Sequence, residues 1–198
     1  MKTFFEAVRD RRSIYGLSKE SPVSDARLRE MISLAVKYVP SAFNSQSGRV
    51  VLLLGGHHDR FWNMVKEVLR KKVSPEKFPQ TEEKIESFRN CYGTILFFED
   101  QEVVEELQRK FPLYAERFGL WSQHSSGMLQ FILWTGLESE GLGASLQHYS
   151  NLVEDEVKKE WSLPRKWHLL AQMPFGMPTV EPDEKEFEPL DKRIKIFD

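Results

Sequence analysis

The chain mixes one-sided hydrophobic stripes with short continuous apolar runs, and the two patterns predict different elements. Residues 25–39 carry Leu28, Met31, Ile32, Ala35, Val36 and Val39 at spacings of three and four, the stripe of an amphipathic helix. Ser24 is a good N-cap, Asp25 suits the positive helix end, and Pro40 stops the run. A shorter helix is predicted over 3–10, with Phe4, Phe5 and Val8 on one face. Another is predicted over 60–72, with Phe61, Met64, Val65, Val68 and Leu69 inward. The runs 50–54 and 94–98, apolar except for Thr94, predict strands buried on both faces, the first of them central in its sheet. Gly55-Gly56 breaks the first.

Residues 73–90 are polar and contain Pro75 and Pro79. They predict a mobile excursion with some helix at 82–88. A charged surface helix is expected at 101–110. The longest helical pattern runs over 115–140 and holds Leu120, Trp121, Met128, Leu129, Phe131, Ile132, Leu133 and Trp134. A helix apolar on most sides must be covered on most sides, and in a chain this short a second subunit is a natural cover. After Gly141 and Gly143 follow a short strand from 144 to 146, a helix over 153–161 and a strand over 167–174. The tail, 181–198, is polar until Ile194-Lys195-Ile196-Phe197, which alternates like an edge strand. Strand and helix alternate without a repeated βαβ period, so the expected class is α+β, a mixed central sheet flanked by helices in three layers.

Composition narrows the function. The 198 residues suit one domain, or one protomer of an intertwined homodimer. Lys and Arg total 28 against 30 acids, a net charge of -2 with no basic patch to favour nucleic acid. No run is long enough to span a bilayer, and no signal peptide is visible, so neither membrane nor export is expected. Cys91 is alone, which excludes an internal disulfide and fits a reducing cytoplasm. No Cys/His cluster has metal-ligand spacing, and the adjacent His57-His58 read as a turn before a helix.

Two segments carry candidate chemistry. Arg11-Arg12-Ser13-Ile14-Tyr15 offers two guanidinium forks and a hydroxyl, which suit a phosphate. Alone, the same run also reads as a solvated helix C-terminus, where arginines suit the dipole. Pro40-Ser41-Ala42-Phe43-Asn44-Ser45-Gln46 offers a hydroxyl, two side-chain amides and an aromatic face, which suit a heterocycle; alone, it is also a polar turn. Together they fit a phosphorylated, ring-bearing cofactor such as FMN. No Ser-His-Asp set and no acid pair stands out, which is expected if a cofactor does the chemistry.

The two segments, in this order and followed by an apolar strand, resemble the start of the nitroreductase family of FMN-dependent oxidoreductases. The resemblance runs from about residue 4 to the C-terminus. The spelling of 121–130 and of 143–149 is similar to a short subgroup that includes fungal proteins linked to fatty-acid repression. The resemblance implies that Arg11 and Ser13 hold the FMN phosphate, with Arg12 contributing through its backbone. A basic residue near the C-terminus completes that site, Arg193 being a better match than Lys192. Ser41, Ala42 and Phe43 would lie against the flavin from the other subunit, with Asn44 and Gln46 bonding ring, ribityl or neighbouring backbone atoms. Leu146 and Gln147 would offer backbone N–H groups to the N5/O4 edge.

Phe43, Trp121 and His124 would line the substrate side, although Trp121 also reads as core and His124 as a structural contact. His148 reads as structural. Tyr15 departs from the pattern: many members carry Arg or Lys there, near the flavin N1/C2 edge, and an uncharged Tyr implies a lower flavin potential. The implied activity is ping-pong hydride transfer from NAD(P)H through flavin N5 to nitroaromatic or quinone-like acceptors. Two alternatives stand beside it. One is reduction of an enone or activated alkene, with His124 or Tyr15 as proton donor. The other is an FMN-binding regulatory protein in lipid signalling with little turnover.

Overall fold

The strand Gly93–Asp100 organises the molecule. The computed structural model describes residues 2–197, and this strand, β3, is buried along its length from Gly93 to Glu99. Ile95 and Phe97 point to one side of the sheet, Leu96 and Phe98 to the other, and all four are at most 1% exposed. Burying each such side chain contributes roughly 1.5–3 kcal/mol. That explains why the run is apolar at every position rather than alternating.

Five strands form the sheet: β1 (Leu17–Ser18), β2 (Gly48–Leu54), β3, β4 (Gly143–Ala144) and β5 (Trp167–Pro178). The order is β1-β5-β3-β2, with β4 also on β5. The ladders are antiparallel, and a parallel bridge joins Ser13 to Ala144. The class is α+β, as expected. β5 skips a residue opposite Phe97 and Phe98, where its partners are Ala171 and Leu169. Gly176 has no room for a side chain, because a Cβ there would strike the Ser18 carbonyl.

Seven helices cover the two faces: α1 (Phe4–Asp10), α2 (Asp25–Tyr38), α3 (Gly56–Arg70), α4 (Phe78–Arg89), α5 (Gln101–Lys110), α6 (Ala115–Ser139) and α7 (Ser150–Glu160). Leu28 and Ala35 of α2 and Leu129, Leu133 and Leu137 of α6 pack with Ile95, Phe97, Met173 and Phe175. On the opposite face, Phe61, Trp62 and Val65 of α3, Ile85 and Phe88 of α4 and Val153 and Val157 of α7 pack with Leu96 and Phe98. Caps end the helices as the residues dictate. Thr3 and Glu6 form a capping box on α1, and Ser24 accepts the Arg27 N–H on α2.

Several expectations are corrected. β2 is an edge of the sheet rather than its centre, and it is only half-buried apart from Leu53. Phe4 and Phe5 do not enter the core; Phe5 is 79% exposed, and Ala7 is the buried residue of α1. Residues 73–90 are no loose excursion, because α4 buries Ile85 and Phe88 against α3. His57 and His58 lie inside the first turn of α3, not before it; Gly55, at φ +53°, makes the sharp entry. Residues 194–197 pair with no strand among the described residues, and Ile196 and Phe197 are exposed. The last residue of the tail, 198, lies outside the described residues.

Cys91 is buried, which pushes its thiol up to about 12 and makes it a poor nucleophile. His58 is a buried link between α3, α4 and β3. Its Nε2 can only donate to the Arg89 carbonyl at 3.1 Å, so its Nδ1 accepts from the Thr94 hydroxyl at 2.9 Å. The same hydroxyl accepts the Trp62 indole N–H at 2.9 Å. Protonating Nδ1 would break this chain of bonds, and burial holds the His58 pKa below its ordinary 6.5. The unfolded chain therefore takes up this proton first. The His58 contribution to stability is complete above pH 6.5 and is lost as pH falls below it, with a limiting slope of about 1.4 kcal/mol per pH unit. Urea unfolding from pH 7.5 to 5 should show this loss in the wild type and a shallower one in His58→Gln. Equal slopes would refute the assignment.

Candidate active site

The phosphate-type segment leaves α1 and runs beside β4. The Ile14 N–H donates to the Ala144 carbonyl at 3.0 Å, which fixes the backbone of Ser13 next to the sheet. Ser13 is exposed, and its hydroxyl has no hydrogen-bond partner among the described residues. Arg11 turns inward, and its guanidinium carbon lies 4.4 Å from the ring centroid of Trp134 on α6. Arg11 is half-buried, and no carboxylate among the described residues pairs with it. Burial lowers its pKa, and the adjacent Arg12 adds to the effect. Two arginines side by side with no acid between them make a local positive field suited to an anion. Arg12 and Ser13 also line a surface cleft of about 530 Å³ with Tyr15, which stands exposed at its rim.

The second segment follows α2 and is held in a costly shape. Phe43, Asn44 and Gln46 have φ values of 57°, 51° and 49°, three of the four non-glycine left-handed residues among those described. Such strain is of order 1–3 kcal/mol per residue and collects at functional sites. The turn is tied from within and from below. The Ser41 hydroxyl accepts the Gln46 N–H at 2.9 Å. Arg49 donates to the Gln46 carbonyl at 2.6 Å and pairs with Asp100 at 2.9 Å. The amides of Asn44 and Gln46 remain exposed, apart from a long 3.4 Å contact from Gln46 Nε2 to the Asn44 carbonyl.

Phe43 belongs to an aromatic group. Its ring lies 4.8 Å from Phe111, 5.3 Å from Phe118 and 6.0 Å from Trp121, the last with planes 20° apart. Ala42, Phe43, Trp121, His124, Ser125 and Met128 line an open cavity of about 380 Å³. The structure thus brings together all three residues expected to line a substrate pocket.

The segment after α6 gives a mixed result. The Gln147 N–H is engaged by the Gln172 carbonyl at 2.7 Å, and its side-chain amide donates to Ser145 at 3.0 Å. Of the two, Leu146 alone has a backbone N–H without an acceptor among the described residues. Lys192 and Arg193 are exposed, and their contacts stay within the tail. Lys192 reaches Glu188 at 3.5 Å, and the Arg193 N–H reaches the Leu190 carbonyl. Neither joins Arg11 through a described contact in this chain. Trp134 escaped sequence reasoning as part of the site. In an apolar helix nothing distinguishes a shelf for a guanidinium from a core residue.

Comparisons with known proteins point to one family. The profile of the nitroreductase family matches residues 8–177. Nitroreductase FRM2 of Saccharomyces cerevisiae is 36% identical over 187 residues, covering 93% of this chain and 92% of the yeast protein. Nitroreductase CinD from Lactococcus lactis, solved in complex with chloramphenicol, superposes with a TM-score of 0.90 at 38% identity, covering 99% of this chain and all of CinD. CinD is also known in complex with 4-nitrophenol and with nicotinic acid. A nitroreductase-type protein from Desulfovibrio desulfuricans, in complex with FMN, shares the fold with a TM-score of 0.72 at 19% identity, covering 100% of this chain and 99% of that one. Profile, relatives and architecture coincide over nearly the whole length, and the chain belongs to the nitroreductase family.

Proposed function

We propose that this protein is an FMN-dependent NAD(P)H oxidoreductase, working as a cytoplasmic homodimer on flat, electron-poor acceptors such as nitroaromatics and quinones. Arg11 carries the reading. It is a half-buried guanidinium shelved on Trp134, beside a second arginine and a hydroxyl, with no carboxylate paired to it among the described residues. A phosphate satisfies that chemistry. Arg11 and Ser13 hold it, Arg12 assists, and Arg193, aided by Lys192, completes the clamp from the tail. When bound, FMN supplies hydride chemistry at N5. Leu146 offers its free N–H to that edge, and Tyr15 donates one hydrogen bond at the N1/C2 edge without adding charge. Ser41, Ala42 and Phe43 press on the ring, while Asn44 and Gln46 present their exposed amides. Phe43, Trp121 and His124 form the wall on which donor and acceptor stack in turn, so one cavity implies ping-pong order. The complexes of CinD with 4-nitrophenol and nicotinic acid support small aromatic ligands of both kinds.

The geometry also favours two copies. Trp121 and Trp134 are thirteen residues apart on α6, about 20 Å along the axis. Phe43 stacks on the first and Arg11 on the second. A ribityl-phosphate arm is shorter than that separation. A two-fold axis through the middle of α6 would bring the Trp121 end of one copy to the Trp134 end of the other. The middle of α6 suits such a crossing. Met128, Phe131 and Ile132 are exposed there, and Gly127 has open space beside it. We infer that residues 1–198 act as one cofactor-binding unit, with the tail from 181 reaching the partner subunit.

Three results test this. The purified protein with FMN should show bound-flavin absorbance that bleaches anaerobically on adding NADH or NADPH; bands that stay unbleached would leave binding without turnover. Arg11→Ala should weaken FMN binding roughly 10- to 100-fold, the worth of a charge-assisted bond of about 1.5–3 kcal/mol. Trp134→Leu should cost less, about 0.5–2 kcal/mol, and Trp134→Phe should restore most of it. Equal affinity in all three would remove the phosphate assignment. Tyr15→Arg should raise the flavin midpoint potential by placing a cation near the reduced ring, and an unchanged or lower potential would show that Tyr15 is not at that edge.

A further inference from the structure

The cavity beside Phe43 contains one ionisable side chain, and nothing else claims it. Ala42, Phe43, Trp121, His124, Ser125 and Met128 line that cavity. Ser125 is buried, and its hydroxyl donates to the Trp121 carbonyl at 3.1 Å. His124 is exposed and makes no hydrogen bond or ion pair among the described residues. It follows Trp121 by three residues, about 4.5 Å along the axis of α6. Trp121 is the ring that lies within 20° of parallel to Phe43.

The surroundings leave the imidazole uncommitted. Its neighbours one turn away on α6 are Leu120, Trp121, Gly127 and Met128, none of them charged. Glu116 and Arg117 lie about two turns earlier, some 10 Å along the axis in the case of Arg117. The 41–47 turn carries no ionisable residue. Before α6, the Tyr114 ring lies 6.0 Å from Trp121, and the Lys110 ammonium sits over Phe111 at 5.5 Å. Lys37 of α2 and Arg49 of β2 line a neighbouring cavity of about 470 Å³ that shares Ser125, and Arg49 is held by Asp100 of β3. Glu99 of β3 is buried in the sheet. The acid of α1, Asp10, lies toward the other end of α6, where it shares Lys2 with Glu138. β4 has no ionisable residue.

Reduction of a quinone or a nitro group needs more than hydride. A quinone takes up two electrons and two protons to become a hydroquinone. Hydride brings both electrons and one proton, so an oxygen must collect the second proton. A nitro group likewise takes hydride and a proton, giving a nitroso group and water. An imidazole can release a proton near neutral pH and recover it from water. His124 breaks no bond within the protein when it turns to a ligand.

We propose that His124 is the proton donor to the acceptor, giving a ring-nitrogen proton to the acceptor oxygen as hydride arrives and regaining it from solvent through the open cavity. This rests on the oxidoreductase reading above. An acceptor ring lying on Trp121 is less than one helical turn from the imidazole, and no other lining side chain can give up a proton. The protonated imidazole is the working form, so acceptor reduction weakens toward alkaline pH.

The test compares two acceptors on the full chain loaded with FMN and reduced by NADH or NADPH. Menadione, a quinone, needs the proton; ferricyanide takes electrons without one. The ratio of menadione to ferricyanide rates should fall about 100-fold in His124→Gln, the lower end of what a positioned acid contributes. In the wild type the menadione rate should fall by about tenfold per pH unit on its alkaline side, and His124→Gln should lose that limb. Added imidazole should restore part of the ratio in His124→Ala. A second readout needs no turnover. In the oxidised protein without a nicotinamide, saturating menadione should raise the pH at which the imidazole proton signal missing from His124→Gln titrates, because the acceptor oxygen favours the protonated ring. An equal rate ratio in wild type and His124→Gln, or a titration that menadione leaves in place or lowers, would overturn the proposal. So would a reduced wild type that passes no electrons to menadione. A wild type whose flavin is not bleached by either nicotinamide would sink the oxidoreductase reading itself and this proposal with it, a result distinct from bleaching with equal ratios.

Discussion

α6 must be apolar on opposite sides, and most of the site depends on that. Leu129, Leu133 and Leu137 bury one side against the sheet, while Met128, Phe131 and Ile132 remain on the outside. One chain supplies cover for the first side only. The exposed side would cost solubility in a lone protomer, and the proposed two-fold pairing removes it. The same helix sets the two tryptophans on which the candidate cofactor segments rest. Packing, assembly and site geometry thus share one element.

The 41–46 turn shows how strain is held. Its left-handed residues would relax in a free loop. Here Arg49 grips the Gln46 carbonyl from β2, and Asp100 grips both Arg49 and the Ser47 carbonyl from β3. β3 is buried on both faces. The proposed ring contacts therefore sit on a loop, but the anchor of that loop is the centre of the sheet.

The phosphate-type segment uses the opposite strategy. It holds no left-handed residue, and the anion binding proposed for it rests on charge. Arg11 is kept free of the acids near it: Asp10 is taken by Arg9 and Lys2, and Glu138 by Lys2. Against its guanidinium lies an indole face, which orients a cation without neutralising it.

The sequence by itself determined the helices over 25–38 and 101–110 and the buried strand at 94–98, because burial on one face or two writes a period into the residues. It also displayed the two candidate segments, because Arg-Arg-Ser and Ser-x-x-Asn-x-Gln carry their chemistry in residue type. It misjudged β2 as central, since an apolar run records burial and not which neighbour provides it. It read only 82–88 of α4 as helix, within a mobile excursion, because the two anchors, Ile85 and Phe88, are too few to mark a longer stripe among charges. Only the tertiary structure decided that Trp134 shelves Arg11, that Gln147 spends its N–H on Gln172, and that Glu99 is buried rather than solvated. Those facts depend on residues far apart in the chain, and no local pattern encodes the distance between them.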